Sequence, residues 1–223
     1  MAQQNILVQA EIEHELKRAE REERDINFRG KVLAGLTIND RIINGKLDLE
    51  AATILGSVSL EKSVYKQDIN LKNAIIMGSL FCGSAIFEKD IIARQTIIKN
   101  VANFVGAKVM GSLLFQNIEV NGFLSLTKAD IKGNVILTQA KINDSYQAGL
   151  IIQGDGYFNN TVIGGDLDVS EAFIEGSFNM QSAFVKGNLN LNGTKIQEFL
   201  LLKEADIKGH INLEKTIYRE LIK

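Results

Sequence analysis

The apolar positions of this chain recur in a fixed frame. Gly122 and Gly133 stand 11 residues apart. Leu124, Leu126, Ala129 and Ile131 follow the first at the offsets at which Val135, Leu137, Ala140 and Ile142 follow the second. The unit is G-x-L-x-L-x-x-A-x-I-x, with places 1 to 11 counted from the glycine. Units run without slippage from Gly45 through Gly56, Gln67, Gly78, Lys89, Asn100, Gly111, Gly122 and Gly133. An imperfect first copy holds Ile38 and Ile43, with Gly35 one place late. Register is lost between Asp144 and Gln153, and a second run starts at Gly154, one place short of two full units beyond Gly133. It continues through Gly165, Gly176, Gly187, Glu198 and Gly209.

Places 3 and 5 alternate with polar neighbours, and so do places 8 and 10. Alternation of period two predicts two short strands per unit. The gap from place 5 to place 8 is odd, so the chain turns there. It turns again at places 11 and 1, where glycine supplies a left-handed or cramped backbone without a Cβ. One unit therefore has two sides and two corners, and two units, or about 22 residues, close four sides and form one layer of the stack. Place 4 agrees. Ile92, Leu114 and Ile136 fall in alternate units with Asn103 and Ser125 between them, and they stack on one face only if two units make a lap. The repeats predict a rod of about eight laps, on the order of 40 Å long at a strand spacing of about 4.8 Å. The period alone also admits a flatter two-sheet solenoid or a three-sided helix.

Residues 1–27 carry a different pattern. Val8, Ile12, Leu16 and Ala19 recur at helical spacing, predicting an amphipathic helix from Ile6 to Arg24. Glu13–Lys17 and Glu20–Arg24 are expected as i,i+4 pairs. Stacked repeats need covered ends, so the apolar stripe is expected to cap the first lap. A dimerisation helix and a membrane-surface helix are the alternatives, the latter disfavoured by a polar face of mixed sign. The chain thus divides into an N-terminal capping helix, 1–27, and a repeat domain, 28–223, with a register break at 144–153.

Ala129-Asp130-Ile131-Lys132-Gly133 and Ala205-Asp206-Ile207-Lys208-Gly209 resemble the A-(D/N)-L-x-x unit of pentapeptide-repeat proteins, as Ala172-Phe173-Ile174-Glu175-Gly176 does more loosely. The resemblance covers roughly residues 34–219. It implies an all-β solenoid, a right-handed parallel quadrilateral β-helix, with one small and one large apolar residue pointing inward from each side. For some members it also implies tail-to-tail dimerisation or DNA-mimicking inhibition of a type II topoisomerase. This chain departs from the family pattern by alternating five-residue with six-residue units.

Composition narrows the picture. The chain has 223 residues and no proline, where average usage of about 5% would give about 11. Proline cannot donate to a ladder, so its absence fits segments sandwiched between two neighbours. No tryptophan is present, which fits a narrow interior. With 25 basic and 27 acidic residues there is no electrostatic case for nucleic-acid binding. The outward places mix Lys with Glu and Asp, which weighs against a DNA mimic. No apolar run approaches the roughly 20 residues of a membrane span, and no basic start precedes an apolar stretch. A soluble, cytoplasmic protein without membrane contact is expected.

Chemistry has little to draw on. Cys82 is the single cysteine and occupies an interior place. His14 and His210 are the only histidines. Asp166 and Asp168 form an outward D-x-D after Gly164 and Gly165, and a polysaccharide-acting β-helix enzyme would use such a carboxylate pair. With no long loops to wall a cleft, a solvated face is the favoured reading. Asp168, Asn190 and Asn212 should stack, as should Asp166, Asn188 and His210. No nucleotide fingerprint or zinc spacing occurs, so no cofactor and no metal are expected.

The outward apolar residues say more. Val64, Ile75, Ile86 and Ile97 hold place 9 in four consecutive units. With the row Ile92, Leu114, Ile136 they predict a contact surface at mid-rod. Phe173, Phe184, Phe199 and Leu201 suggest another near the C-terminal end. The last lap, with Leu213, Thr216 and Tyr218, shows no cap, and an uncovered lap invites pairing. A homodimer through Phe199, Leu201, Leu213 and Tyr218 is expected. The function these features predict is a non-enzymatic scaffold or protein–protein interaction module. The topoisomerase inhibitor and the β-helix enzyme are the alternatives.

Overall fold

The structure, a computed structural model, describes residues 6–143, 145–147, 150–152 and 154–223. Short strands, most of two residues, stack in parallel into three nine-stranded sheets and one eight-stranded sheet. Register follows the repeat. Ile69 pairs with Ile91, and Ile91 with Leu113, so each lap takes 22 residues. Each lap has four sides, numbered in chain order. In the lap that begins at Ile69, face 1 is Ile69–Asn70, face 2 Ile75–Ile76, face 3 Leu80–Phe81 and face 4 Ile86–Phe87. Face 1 therefore lies opposite face 3, and face 2 opposite face 4. The chain is a right-handed quadrilateral β-solenoid of about nine laps, and the flattened and three-sided sections fall away.

The inward columns are those the period predicts. Leu124, Leu126, Ile131, Val135 and Leu137 are fully buried, and Ala129 and Ala140 nearly so. Aromatic side chains sit where columns face each other: Tyr65 stacks on Phe87 with ring centroids 5.2 Å apart, and Phe158 meets Phe178 at 4.9 Å. Gly156 takes an inward place because a Cβ there would lie 2.8 Å from the Phe178 ring. The small place 8 also accepts threonine. Thr96, Thr161 and Thr194 are fully buried, and their hydroxyls donate to the carbonyls of Leu71, Leu126 and Val169 one lap back, at 2.7, 2.6 and 2.7 Å. Each buried hydroxyl is thereby satisfied.

The corners correct the sequence reading. Left-handed backbone falls at place 7, not place 1, and mostly on residues other than glycine: Asp40, Ala51, Lys62 and Asn73 have φ of 56°, 56°, 54° and 57°. Gly30, Gly106 and Gly193, the positive-φ glycines, also stand at place 7, Gly30 on the rung above Ala51. Glycine at place 1 answers a different need. The Gly187 N–H donates to the Gly165 carbonyl at 3.0 Å, and the Gly209 N–H to the Gly187 carbonyl at 3.0 Å. A Cβ on Gly187 would lie 2.7 Å from that Gly165 oxygen. Close approach of lap to lap, not backbone conformation, selects glycine here.

At the N-terminal end the helix is shorter than predicted, Gln9–Arg21. Ile6–Leu7 instead forms a strand on face 2, paired with Val32–Leu33. Val8 precedes the helix and is 51% exposed, so it leaves the apolar stripe. Ile12, Leu16 and Ala19 are buried and join the core of the first lap with Phe28 and Leu36. In chain order the helix replaces faces 3 and 4 between Ile6–Leu7 and Ile26–Asn27, and its buried stripe closes the bore. The Glu20–Arg24 pair does not form; Arg24 meets Glu15 and Glu22, each at 2.8 Å. Glu13 pairs with Lys17 at 3.7 Å and accepts from Arg41 Nη2 at 2.7 and 2.9 Å.

The Arg41 hydrogen bond holds the Glu13 carboxyl below its usual range, against a smaller opposing effect of burial. A depressed carboxyl stabilises above its unfolded pKa and loses that contribution as pH falls through the folded one. Glu13→Gln is expected to cost about 0.5–1 kcal/mol at pH 7, after discounting for solvent screening. The difference between their urea midpoints should shrink as pH falls below the unfolded carboxyl value of about 4.3 and vanish once it has passed the lower folded one.

The register break is an insertion. Leu124 pairs with Gly156 and Asp130 with Val162, a spacing ten greater than that of the other laps, so ten residues leave the lap and the same faces resume. Within them, Ser145–Gln147 pairs antiparallel with Leu150–Ile152. Residues 144, 148, 149 and 153 of the break lie outside the described residues. The displaced Gly35 has the opposite origin. Ile26 pairs with Leu47, where a full lap would reach Asp48, whereas Leu36 pairs with Val58 at the full spacing, so the first lap is one residue short.

Candidate functional site

Face 1 divides into three zones. At the top, Asn70 is buried and its Nδ2 donates to Asp48 Oδ1 at 3.0 Å and Glu50 Oε2 at 3.2 Å. At the bottom, Asn190 Nδ2 donates to Asp168 Oδ1 at 3.2 Å, with Asn212 on the next rung. Between these polar ladders Ile92, Leu114 and Ile136 occupy consecutive rungs, outward and half-buried.

The place 9 residues flank this row. Val64 and Ile86 are neighbours on face 4, Ile75 and Ile97 on face 2, again outward and half-buried. Faces 4, 1 and 2 are consecutive, so Ile86, Ile92 and Ile97 follow one another around a single lap. Phe81, outward on face 3, completes a girdle. The sequence reading missed Phe81, although its place 4 position marks it as outward. Away from the girdle the rows change sign rung by rung: Lys108 beside Asp130 on face 4, Glu119 beside Lys141 on face 2. No continuous acidic stripe is present among these rows.

The groups considered for catalysis are committed to the scaffold. Asp166 Oδ1 accepts the main-chain N–H of Asn188 at 2.6 Å, and Asn188 Oδ1 accepts that of His210 at 2.9 Å. Asp168 Oδ1 accepts the N–H of Ser170 at 2.9 Å as well as the Asn190 amide. Cys82 is buried, and burial pushes its thiol well above the ordinary range. Tyr157 is pushed up to about 12, by burial first and then by its 2.6 Å hydrogen bond to Asp155. Among the described residues no group of three or more His, Cys, Asp and Glu is placed to hold a metal ion, and no helix is long and apolar enough to cross a membrane.

The residues expected at a dimer end do not form one surface. Phe199 and Leu201 lie outward on the wall of face 3, and Arg219 covers Phe199 with its guanidinium 5.7 Å from the ring centre. Leu213 and Tyr218 pack, half-buried, against the end of the core. Ile211 and Ile217 join them at the last lap, 48% and 59% exposed. Phe173 stands between Lys141 and Lys195 on face 2, and Phe184, one rung from the end of face 4, lies under the Lys208 ammonium at 5.9 Å.

A further concavity escaped the sequence reading altogether. Between the helix and the first rung of face 4 lies a groove of about 480 Å³, with Leu16 and Ala19 on one side and Ile42 and Ile43 on the other. The outward place of Ile42 was readable, but the groove exists only because the helix lies above it.

No protein-family model matches the chain, and no curated protein or solved structure shows significant similarity to it.

Proposed function

We propose that the protein is a non-enzymatic scaffold that offers its mid-rod girdle to a protein partner. The observation that carries this reading is the zoning of face 1: an aliphatic row bounded above and below by hydrogen-bonded Asn/Asp ladders and flanked by apolar residues on both adjoining faces. An apolar centre within a polar rim is the anatomy of a protein interface. Two-residue strands fixed by neighbours on both sides make a rigid face, which lowers the ordering cost of association. The fold and the A-D-I-x-x units support reading the repeat as a variant of the pentapeptide type, and a cytoplasmic location fits the single buried cysteine. The test places a photo-crosslinking residue at Leu114, and separately at Asn179 on face 3, in the cell of origin. One discrete adduct from position 114 and none from 179 is expected. No adduct from 114, or the same adducts from both, contradicts the reading.

We also propose that two copies associate through the last lap. Ile211 and Ile217 are exposed there, while the helix closes the other end, so pairing ends in a closed dimer and not in a filament. A dimer mass by light scattering is expected, reverting to monomer with Ile211→Glu/Ile217→Glu. A monomer mass at about 1 mM chain, far above the range of specific association, removes this proposal.

A further inference from the structure

The groove under the helix has the features of a peptide site. Ile42–Ile43 is the first rung of face 4, and the sheet ends there. Strand residues point alternately to the two neighbouring rungs. The Arg41 and Ile43 carbonyls accept from Val64 and Lys66 on the rung below, at 2.8 and 3.0 Å. The Ile42 N–H and C=O and the Asn44 N–H therefore face the groove. Among the described residues none of these three meets a main-chain or side-chain partner. Ile42 itself is 60% exposed. An open strand edge beside an apolar hollow is what an extended segment needs in order to dock by strand addition.

Charge states what kind of segment. The cations lining the groove sit on carboxylates: Lys17 and Arg41 share Glu13, and Arg24 meets Glu15 and Glu22. Glu20, Glu23 and Asp40 also line it and have no ion-pair partner among the described residues. The hollow runs on past Glu23 and Asn44 into a second cleft that adds Asp25, Asp68 and Lys46, the last paired with Asp48 at 3.7 Å. Together the two linings carry six carboxylates against four cations, a net charge of −2, so a basic segment is favoured and an acidic one repelled.

We propose that this groove binds an extended, basic peptide segment of another protein, which adds a rung to face 4 above Ile42–Asn44 and sets its lysine or arginine side chains against Glu20, Glu23 and Asp40. The site is separate from the girdle, so failure here leaves the reading of face 1 intact, and the Leu114 adduct is expected to persist in groove variants.

The test uses the full chain and a fluorescein-labelled eight-residue peptide alternating lysine and valine, followed by anisotropy. Saturable binding near 10 µM is expected, with the glutamate–valine counterpart at least about 30-fold weaker. N-methylation of alternate peptide bonds is expected to weaken binding at least about tenfold, because the strand bonds are lost. Glu20→Lys/Glu23→Lys, at two exposed positions, one on the helix and one just beyond it, should do the same while leaving the urea midpoint unchanged; Asn44→Pro removes one edge donor and should also weaken binding. Amide exchange of Ile42 and Asn44 is expected to slow when peptide is present. Equal binding of both peptides, indifference to Glu20→Lys/Glu23→Lys, or no binding at about 1 mM overturns the proposal. So does protection of the Ile42 and Asn44 amides in the free protein together with a doubled mass that Ile211→Glu/Ile217→Glu does not abolish, which would show a second copy in the groove.

Discussion

Leu126→Asp is expected to unfold several laps, whereas Thr127→Asp next to it is expected to leave the fold intact. Leu126 is fully buried and points into the bore, where a carboxylate has neither water nor a cation. Removal of the leucine alone costs about 2–5 kcal/mol. The buried carboxyl adds a penalty that drives it to the neutral form, which still needs partners. Each lap relies on its neighbours for backbone bonds, as the Leu126 N–H relies on the Tyr157 carbonyl at 2.6 Å, so damage spreads along the rod. Thr127 stands at the corner, with its hydroxyl donating to Asn159 Oδ1 at 3.0 Å, and loses at most about 1 kcal/mol. Urea unfolding of the two variants checks this. Similar midpoints would mean that the bore is not where these residues place it.

The second large effect separates two kinds of glycine. Gly187→Val is expected to cost about 3 kcal/mol or more, because the new Cβ meets the Gly165 carbonyl and the laps must part. Gln67, Lys89, Asn100 and Glu198 hold the same place in other units. Gly187, however, sits between Gly165 and Gly209 in an unbroken glycine ladder, where the spacing is set for hydrogen bonds without a side chain. Gly193→Asn is expected to cost at most about 1 kcal/mol. Its φ of 69° lies in the left-handed region, but Asn73, Asn117 and Asn160 adopt 57°, 57° and 55° at the equivalent place. If Gly193→Asn proves the more damaging, the corner assignment is reversed.

What could be read from the sequence follows from what repeats. Every inward side chain answers to the same bore, so Leu49, Leu71 and Leu137 announce the column of face 1 and Leu126 that of face 3, and the place 4 row of Ile92, Leu114 and Ile136 gives the lap. Features set by pairing across laps were harder to read. Ile6–Leu7 looks like the start of a helix, and only Val32–Leu33 makes it a strand. Place 7 hides its left-handed turn because Asp40, Lys62, Ser84 and Glu171 stand there exposed, each bearing a modest local cost without glycine. The break looked like lost register because an insertion of ten residues has meaning only once the length of a lap is known. The girdle was legible on three faces and missed on the fourth. The groove was not legible at all, since it depends on how the helix lies over face 4.

The central claim is that two units make one lap, and stacked fluorophores test it most directly. With Cys82→Ala as background, pyrene is attached to cysteines at Phe81 and Asn103, half-buried outward neighbours on face 3 that stand two units apart in the chain. In a second protein it is attached at Asn103 and Leu114, a single unit apart and on opposite faces. Excimer emission from the first pair and only monomer emission from the second is the predicted result. Excimer from the second pair, or from neither, would contradict the four-sided lap and everything built on it.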